Sequence, residues 1–373
     1  MPRQVLHLIG GGEVGGAEQH ILNLLGGFKP ERVNPSLACL ITPSPLAALA
    51  CSRGIETKIL PMRFPLDLRP LLPLIRFCRS RQIELLHCHG ARANLIGRIA
   101  AKILKLPCIT TLHSRPENDY PSPRTGKIAA GLDKLTLPLV AGVITVSHDL
   151  FQAVSSSLHK QRLTIPIKTI YNGCAALDFS ARDELRAEFR QNWAIPEDCL
   201  VIGTIGRLHP VKGQIYLIQA MQMLFKEYPN LHLLLIGEGP YRAQLESLLN
   251  SSQLPHTLTG HLPQAWQALP AMDLFVLPSL SEGMGLVLLE AAQAEIPIVA
   301  SRVGGIPELL TDRKEALLVN PGDPLALTLA CSELLQDTGL AQNLAAKAKM
   351  KAGLYTVAQM VEATTAFYEK ILL

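Results

Sequence analysis

Short apolar runs alternate with stretches of helical hydrophobic spacing through the first half of the chain. The apolar runs are three to five residues long and nearly free of charge, which is typical of strands buried on both faces of a parallel sheet. Helical spacing lies between them, as at 17–25, 70–80 and 91–104. The alternation predicts parallel strands joined by right-handed crossovers. The predicted strands are 5–9, 36–40, 57–60, 85–87, 108–111 and 143–146.

The same pattern restarts at Leu200, after a segment that shows neither strand nor crossover regularity. The second set of predicted strands is 200–205, 232–236, 256–258, 274–277, 298–300 and 316–319. The helical stretches between them include 214–228, 241–250 and 286–294. From Pro324 onward only helical patterns follow.

These two sets predict an α/β chain of two facing Rossmann-like domains, each a doubly wound parallel sheet. We place the boundary near 172–180, with one domain over 1–177 and the other over 178–355. In such sheets ligands bind beyond the carboxyl ends of the strands. The cleft between the domains is therefore the expected site.

Composition adds what the pattern leaves open. The chain has 373 residues, of which 48% are hydrophobic and 18% charged, a soluble globular composition long enough for two cores. Its apolar runs fall short of the ~20 residues of a membrane-spanning helix, and the first run is too short for a signal peptide. The eight cysteines are scattered without a C-x-x-C pair. We therefore expect reduced thiols and a cytoplasmic protein.

Charge is divided unevenly between the two predicted domains. Residues 1–177 contain 21 Lys and Arg against 10 Asp and Glu, whereas residues 178–373 contain 14 against 21. The basic half suits an anionic ligand or an anionic membrane surface; charges spread over a solvated face would give the same count. The basic residues considered for surface docking are Arg76, Arg79, Arg81, Arg115, Arg124 and Lys127. No nucleic-acid partner is expected.

One glycine-containing loop follows the first strand of each set. GGGEVGGAE at 10–18 precedes a helix, and five glycines in seven positions exceed what a strand–helix turn requires, which favours a ligand loop. GRLHPVKG at 206–213 places Arg207 and Lys212 at the end of the strand at 200–205. Arg suits a diphosphate by bidentate bonds and Lys as a point charge, although two solvated cations are the alternative. GEGP at 237–240 helps to shape a pocket edge.

The segment SEGMGLVLLEAA at 281–292 places two glutamates around an apolar helix start. Glu282 falls in the loop after the strand at 274–277, and Glu290 about one turn into the following helix. Glycines and the helix N-terminus favour a phosphate or sugar oxygen there, and a carboxylate accepts paired ribose hydroxyls. The alternative is a salt-bridged glutamate together with an N-terminal one.

Histidines provide the remaining candidates. His113 follows the strand at 108–111, where it could reach the cleft as a hydrogen-bond donor or proton carrier; a structural role is equally compatible. His87, Cys88 and His89 look like metal ligands. Strand alternation puts the two histidines on one face and the cysteine on the other, and the sequence suggests no fourth ligand. We predict no metal site, and the chain also has no Asp-x-Asp pair.

These motifs resemble those of the retaining glycosyltransferases of family 4, the group 1 enzymes with the GT-B fold. The resemblance is strongest from Ile202 to Pro324, through GRLHPVKG, LIGEGP, SEGMGLVLLEAAQAEIPIVASRVGGIPELL and LVNPGDP. The spacing of Glu282 and Glu290 is the family's E-x7-E signature. Two details depart from the family: Glu315-Ala316 replaces the frequent Asn-Gly, and NGCAALDF at 172–179 spreads out a compact Asn-Gly-x-Asp.

The resemblance implies a role for each matching residue. Arg207 and Lys212 match the pair that binds the donor diphosphate. Glu282 and His113 match residues near the transferred sugar, and Glu290 matches the glutamate that binds the ribose. The remaining donor contacts are implied for Gly15 and Gly16 of the closing loop and for Gly283, Met284, Gly285 and Leu286. The last helix, about 356–373, is expected to pack back on the first domain.

The resemblance also implies the reaction: transfer of a hexose-type sugar from a UDP-sugar or GDP-sugar with retention and without a metal or other cofactor. The expected acceptor is a glycan or lipid-linked glycan of cell-surface polysaccharide synthesis, met at the inner face of the cell membrane. A nucleotide-sugar epimerase or phosphorylase and a non-catalytic sugar-nucleotide-binding subunit are the alternatives.

Overall fold

The structure is a computed structural model that describes residues 1–12, 15–64, 66–115 and 123–373. The chain divides into two compact units. The N-terminal unit comprises Met1–Ala175 together with Thr356–Leu373, and the C-terminal unit comprises Ala176–Tyr355. The chain divides after Ala175, which is two residues before the boundary placed after 177 and lies within the segment 172–180.

The N-terminal unit contains a seven-stranded parallel sheet of order β3-β2-β1-β4-β5-β6-β7. Its strands are β1 (Arg3–Ile9), β2 (Val33–Cys39), β3 (Glu56–Ile59), β4 (Leu85–His89), β5 (Cys108–Leu112), β6 (Gly142–Thr145) and β7 (Ile167–Thr169). Its helices are α1 (Gly16–Gly27), α2 (Pro45–Ser52), α3 (Leu71–Ser80), α4 (Ala91–Leu104), α5 (Pro123–Thr136), α6 (His148–Gln161) and α14 (Val357–Leu372). Alternate β1 residues serve opposite cores, with Val5 and Ile9 on one face and Leu6 and Leu8 on the other.

The C-terminal unit contains a six-stranded parallel sheet of order β10-β9-β8-β11-β12-β13. Its strands are β8 (Leu200–Ile205), β9 (Leu231–Ile236), β10 (His256–Leu258), β11 (Leu274–Leu277), β12 (Ile298–Ser301) and β13 (Leu317–Val319). Its helices are α7 (Arg182–Asn192), α8 (Gln214–Leu224), α9 (Arg242–Asn250), α10 (Leu286–Gln293), α11 (Ile306–Leu309), α12 (Pro324–Gln336) and α13 (Thr338–Ala352). The prediction of two doubly wound parallel sheets is confirmed.

The strand predictions differ from the structure in two instructive places. Strand β2 starts at Val33 rather than at 36, because residues 33–35 pair with β1. Pro35 lies before the stretch of β2 that pairs with β3, so its missing N–H leaves that ladder intact. Strand β7 was not predicted. It is an edge strand that pairs with β6 alone, and its sequence IKT has no apolar run.

Helix α14 is packed against the N-terminal unit through two glycines that leave room for it. A Cβ on Gly27 would lie 2.6 Å from Val361, and one on Gly142 would lie 2.8 Å from the ring of Phe367. Thr356 accepts a hydrogen bond from the amide of Gln359 and caps the helix. Because the glycines admit these side chains, residues at the end of the chain complete the core around β1.

Candidate functional site

The order of the C-terminal sheet changes direction between β8 and β11. The chain leaves β8 toward β9 on one side and leaves β11 toward β12 on the other, so the loops after these two neighbouring strands diverge. A crevice at such a switch point is where open α/β sheets bind ligands. The predicted residues Arg207, Lys212, Glu282 and Glu290 all follow one of these two strands.

The loops after β8 and β11 are fastened to each other by backbone contacts. The amide of Leu280 donates to the carbonyl of Val211 with an N–O distance of 2.8 Å. Gly213 has φ of +67°, and a Cβ there would collide with the carbonyl of Pro278. Glycine is required on both counts, so the neighbouring Lys212 is held at a defined place over the second loop.

Lys212 and Glu282 form an ion pair across the two loops. Lys212 Nζ donates to Glu282 Oε1 at 2.6 Å, and the hydroxyl of Ser279 donates to the same oxygen at 2.7 Å. The Glu282 side chain is 8% exposed and that of Lys212 is 26% exposed. Each partner therefore satisfies a charge that would be costly to bury alone.

The first turn of α10 is supported from behind by the loop that precedes α11. The amide of Gly305 donates to the carbonyl of Gly283 at 3.0 Å, and a Cβ on Gly304 would collide with the carbonyl of Glu282. Gly285, with φ of +77°, stands at the N-cap of α10. The side chains of Met284 and Leu286 are buried. This leaves the positive end of α10 directed past the segment 283–286, where it favours an anion.

Glu290 lies in the fifth position of α10. Although part of the residue reaches the surface, desolvation by burial raises the pKa of its carboxyl to about 7. Among the described residues no donor or cation pairs with this carboxyl. A carboxylate held without partners in a half-enclosed position is prepared to accept hydrogen bonds from a ligand.

Arg207 is exposed, and within the described ranges its guanidinium has no ion-pair partner. Its backbone is fixed, because Gln214 Nε2 donates to the Arg207 carbonyl at 2.9 Å. Burial lowers the pKa of the neighbouring His209, and the charges of Arg207 and Lys212 lower it further. The loop therefore carries a positive field from two cations, of which only Lys212 is neutralised by a carboxylate.

The predicted GEGP segment supports this loop from the β9 side. Cβ atoms on Gly237 and Gly239 would collide with the carbonyls of Gly206 and Leu208. The amide of Leu208 donates to the Glu238 carbonyl at 2.9 Å. The two glycines thus allow the backbones of both loops to approach closely.

The glycine loop of the N-terminal unit has two different parts. Gly11 and Gly12 are closely packed, with Cβ positions 3.0 Å from Cys39 and 2.8 Å from Ile41, so they have a structural role. Gly15 and Gly16 are exposed, and a Cβ on Gly16 would meet nothing within 4 Å. The amide of Gly15 is bonded to the carboxylate of Glu18 at 3.1 Å. Residues 13 and 14 of the predicted loop lie outside the described residues.

His113 stands directly after β5 in a group of histidines that the sequence did not bring together. Its Nε2 lies 3.0 Å from Nδ1 of His89. The predicted alternation on β4 is confirmed: His87 and His89 point into this group, and Cys88 contacts Cys108 on the other face. His7 on β1 and His20 on α1 were missed. The sequence carries no signal for His7, because its place beside His87 is set by the parallel register of β1 and β4.

These histidines include two sets with spacing suited to a metal ion: His7 with His87 and His89, and His20 with His89 and His113. The sequence suggested no ligand beyond residues 87–89, whereas the fold adds three from β1, α1 and the end of β5. Burial lowers the pKa of every member, which keeps the rings neutral at pH 7.

Two family models together match most of the chain. The model described as glycosyltransferase family 4 matches residues 14–175, and the model described as glycosyl transferases group 1 matches residues 186–351. The chain belongs to the group 1 glycosyltransferases of family 4. The match to the group 1 model includes Arg207, Lys212, Glu282 and Glu290.

Named relatives within this family are distant. An uncharacterized glycosyltransferase of Methanocaldococcus jannaschii is 28% identical over 279 residues, which cover 71% of this chain and 70% of that protein. The putative teichuronic acid biosynthesis glycosyltransferase TuaC of Bacillus subtilis is 30% identical over 250 residues, covering 66% and 60%. The sulfoquinovosyl transferase SQD2 of Arabidopsis thaliana is 28% identical, and the match spans only 54% of its length.

Solved structures share the whole GT-B architecture. Anabaena HepE in complex with UDP-glucose has a TM-score of 0.83 at 20% identity, with 98% of this chain and 99% of that chain covered. Sucrose-phosphate synthase of Thermosynechococcus elongatus has a TM-score of 0.81 at 20% identity, with 99% of each chain covered. At this identity the likeness establishes the fold of the family member and nothing finer.

Proposed function

We propose that the protein is a retaining glycosyltransferase that moves a hexose-type sugar from a UDP-sugar or GDP-sugar to a glycan or lipid-linked acceptor, without a metal ion. The observation that carries the proposal is the set of charged groups at the switch point of the C-terminal sheet. Arg207 and Lys212 follow β8, and Glu282 and Glu290 follow β11. The direct bond between Lys212 and Glu282 joins the two halves of the set.

The two cations and the start of α10 can take the place of a metal at the diphosphate. Arg207 has an unneutralised charge in the described part of the chain. The positive end of α10 begins after Gly285, in the loop that is bonded to the loop of Lys212. Both act on developing negative charge at the leaving phosphate. A diphosphate also attracts Lys212 away from Glu282, because it carries more charge than one carboxylate.

The two glutamates then bind the uncharged parts of the donor. Once Lys212 turns to the diphosphate, Glu282 keeps one hydrogen bond, from Ser279, and its other lone pairs can accept sugar hydroxyls. Glu290 has no partner in the described residues and is assigned the ribose hydroxyls. His113 and the exposed Gly15 and Gly16 are assigned to the sugar and to the closing loop, on the family resemblance.

The names of relatives support the class of substrate. HepE was solved with UDP-glucose, and TuaC is named for teichuronic acid biosynthesis. The D-inositol 3-phosphate glycosyltransferase of Salinispora tropica, at 28% identity, is named for a small polyol phosphate acceptor. The first two favour a UDP-sugar and a surface polysaccharide for this chain, and the third marks how widely acceptors vary within the family.

The test is release of nucleoside diphosphate from UDP-glucose, UDP-N-acetylglucosamine and GDP-mannose, each with and without lipid-linked glycan acceptors and with EDTA present. Acceptor-dependent release with an α-linked product from an α-linked donor is expected. Sugar interconversion without release indicates the epimerase, and donor binding without either reaction indicates a non-catalytic subunit. Glu282→Gln should lower turnover, whereas Glu295→Gln, whose carboxylate pairs with Lys349 on the surface, should not.

We further propose that the N-terminal unit meets the acceptor at an anionic membrane surface on the cytoplasmic side. Among the basic residues considered, Arg76, Arg79, Arg124 and Lys127 are exposed, whereas Arg81 and Arg115 pair with carboxylates. Exposed apolar side chains lie just before and within α3: Phe64, Leu66, Leu68 and Leu72. None of the helices in the described residues is long and apolar enough to cross a bilayer.

Apolar and basic side chains together favour the interface of an anionic bilayer. The protein should co-sediment with phosphatidylglycerol vesicles and should stay in the supernatant with phosphatidylcholine vesicles. The double variant Arg76→Ala/Arg79→Ala should bind less, whereas Arg313→Ala, in the C-terminal unit, should bind normally. Equal retention of all three proteins on anionic vesicles contradicts the proposed surface.

A further inference from the structure

A continuous chain of hydrogen bonds runs from the end of β5 through the core of the N-terminal unit and back to the same strand. His113 Nε2 lies 3.0 Å from His89 Nδ1, and His89 Nε2 lies 3.1 Å from His7 Nδ1. His7 Nε2 lies 3.3 Å from the hydroxyl of Tyr368. Two further groups, His87 and Thr111, continue the chain beyond Tyr368, and every link has hydrogen-bonding length.

The hydroxyl of Tyr368 also lies 2.6 Å from His87 Nδ1, and His87 Nε2 lies 2.7 Å from the hydroxyl of Thr111. All these side chains except His113 are at most 1% exposed. Burial lowers the pKa of the histidines, to about 3 for His7. Each ring is therefore neutral, with one N–H and one lone pair.

Each neutral ring passes the direction of donation on to the next group, so two arrangements have one direction along the whole chain. A third, in which Tyr368 accepts from both neighbouring rings, is costly because the described residues offer its hydroxyl proton no other acceptor. In the first, the Thr111 hydroxyl donates to His87 Nε2, and donation continues through Tyr368, His7 and His89 to His113 Nε2. In the second, every bond is reversed. The proton positions are thus fixed by whichever end of the chain is better satisfied.

The two ends favour the first arrangement. There, every donor in the chain has an acceptor except the outermost N–H, on His113 Nδ1, an atom that has no partner in the described residues. In the reversed arrangement the Thr111 hydroxyl must donate elsewhere, and the described residues supply no acceptor for it. A buried hydroxyl proton without an acceptor is costly, so the reversed chain leaves one more unsatisfied group.

We propose that Tyr368 and His7 are positioning residues that, through His89, hold His113 as the Nδ1–H tautomer, so that the group His113 can offer the sugar assigned to it is an N–H. In this state Nε2 of His113 accepts from His89 and is not available as a base. Only the contact of His113 with the sugar rests on the proposed function. The tautomer itself is a property of the N-terminal unit. The sequence leaves two roles open for His113, and this tautomer favours the role of hydrogen-bond donor over that of proton carrier.

A metal ion is the competing explanation for so many converging imidazoles. Two observations count against it. Both ring nitrogens of His89 already have imidazole partners at hydrogen-bonding distance, and no carboxylate of the described residues shifts the pKa of any of the five histidines. A divalent charge there would be buried among neutral rings without compensation. The ring nitrogens of His20 make no hydrogen bond of ordinary geometry in the described residues, although Asn172 is near enough to raise the pKa of the ring, so the test includes a metal outcome.

The test is the nitrogen NMR spectrum of the full-length protein labelled with [15N]histidine, recorded at neutral pH without ligand. Long-range proton–nitrogen correlations distinguish protonated from unprotonated ring nitrogens. We expect protonated Nδ1 and unprotonated Nε2 for His7, His87, His89 and His113, assigned through single His→Gln variants. A neutral Nε2–H form of His113, or a charged ring, overturns the proposal. So does a stoichiometric transition metal whose removal by chelator changes these signals.

Variants test the positioning role. Tyr368→Phe removes the hydroxyl that connects His87 to His7, so both proton directions become comparable, and a second Nε2–H population of His113 should appear. Tyr228→Phe is the matched control, because its hydroxyl bonds Ser332 in the C-terminal unit. Thr111→Val, which removes the terminal donor, provides the same readout if Tyr368→Phe folds poorly. An unchanged His113 tautomer in both chain variants contradicts the positioning role.

The same variants separate this inference from the proposed function. For UDP-glucose turnover, Tyr368→Phe should lower kcat/KM by about tenfold, the effect of one misdirected hydrogen bond, while Tyr228→Phe leaves it unchanged. A protein that is inactive with all three nucleotide sugars of the donor test but has the expected tautomers refutes the proposed function and leaves the hydrogen-bond chain in place. An active protein with the opposite His113 tautomer refutes the positioning role and leaves the proposed function in place.

Discussion

Lys212 donates to Glu282 at 2.6 Å across two loops that are 70 residues apart in the sequence. The bond exists because the Val211 carbonyl and the Leu280 amide join the loops and because Gly213 lets them touch. It connects the group assigned to the diphosphate with the group assigned to the sugar. In the free protein the two satisfy each other, and donor binding must exchange this bond for bonds to the ligand.

Lys212→Ala should therefore cost stability as well as donor affinity. It leaves Glu282 buried without its cation, and losing one partner of a mostly buried pair costs about 3 kcal/mol. Adding Glu282→Gln should recover much of this stability without recovering donor binding. Chemical denaturation and calorimetric titration with UDP-glucose measure the two effects. Lys349→Ala, which breaks an exposed pair with Glu295, is the control and should cost less than about 1 kcal/mol.

Arg207→Ala should separate binding from stability in the opposite way. The side chain is exposed and unpaired within the described ranges, so its loss leaves the free energy of unfolding nearly unchanged. Loss of a charge-assisted contact to the diphosphate should weaken donor binding by about 10- to 100-fold, more than Glu290→Ala does. The matched control is Lys226→Ala, another exposed cation of the same unit. Wild-type affinity in Arg207→Ala would remove it from the site.

These relationships show what the sequence could and could not supply. Parallel strands buried on both faces are recognisable as apolar runs, so β8 and β11, and with them the loops that bear Arg207 and Glu282, were located before the structure. The Lys212–Glu282 bond was not, because it depends on a loop–loop contact that neither segment encodes alone. His7 and His20 were missed for the same reason: they join His89 only through strand register and the position of α1.

Glu290 should destabilise the free protein at neutral and alkaline pH. Its folded pKa is about 7 against an ordinary value of 4.5, so the folded state holds the proton more tightly. Stability is unaffected below about pH 4.5, falls as pH rises toward 7, and remains reduced above that by up to about 3 kcal/mol. Glu290→Gln removes this dependence and should be more stable than wild type at pH 8 but not at pH 5. Denaturation at both values, with Glu295→Gln as control, decides the matter.

The same carboxyl should make donor binding depend on pH. Hydroxyls of the bound ribose donate to the ionised form and lower its pKa, so wild-type affinity should fall as pH drops below about 7, by no more than tenfold per unit. Above pH 8 the affinity should level off. Titration with UDP from pH 5.5 to 8.5 measures this. Glu290→Gln should bind more weakly at pH 8 and show a flatter profile; a wild-type profile in the variant would place the ribose elsewhere.

Gly213→Ala tests whether the backbone contact between the loops sets the position of Lys212. The residue has φ of +67°, and its new Cβ would collide with the Pro278 carbonyl, so we expect a loss of more than about 1 kcal/mol and weaker UDP binding as Lys212 is displaced. Gly206→Ala is the matched control from the same loop, since a Cβ there meets nothing within 4 Å. Equal melting temperatures and UDP affinities for the two variants would show that the loops do not depend on this contact.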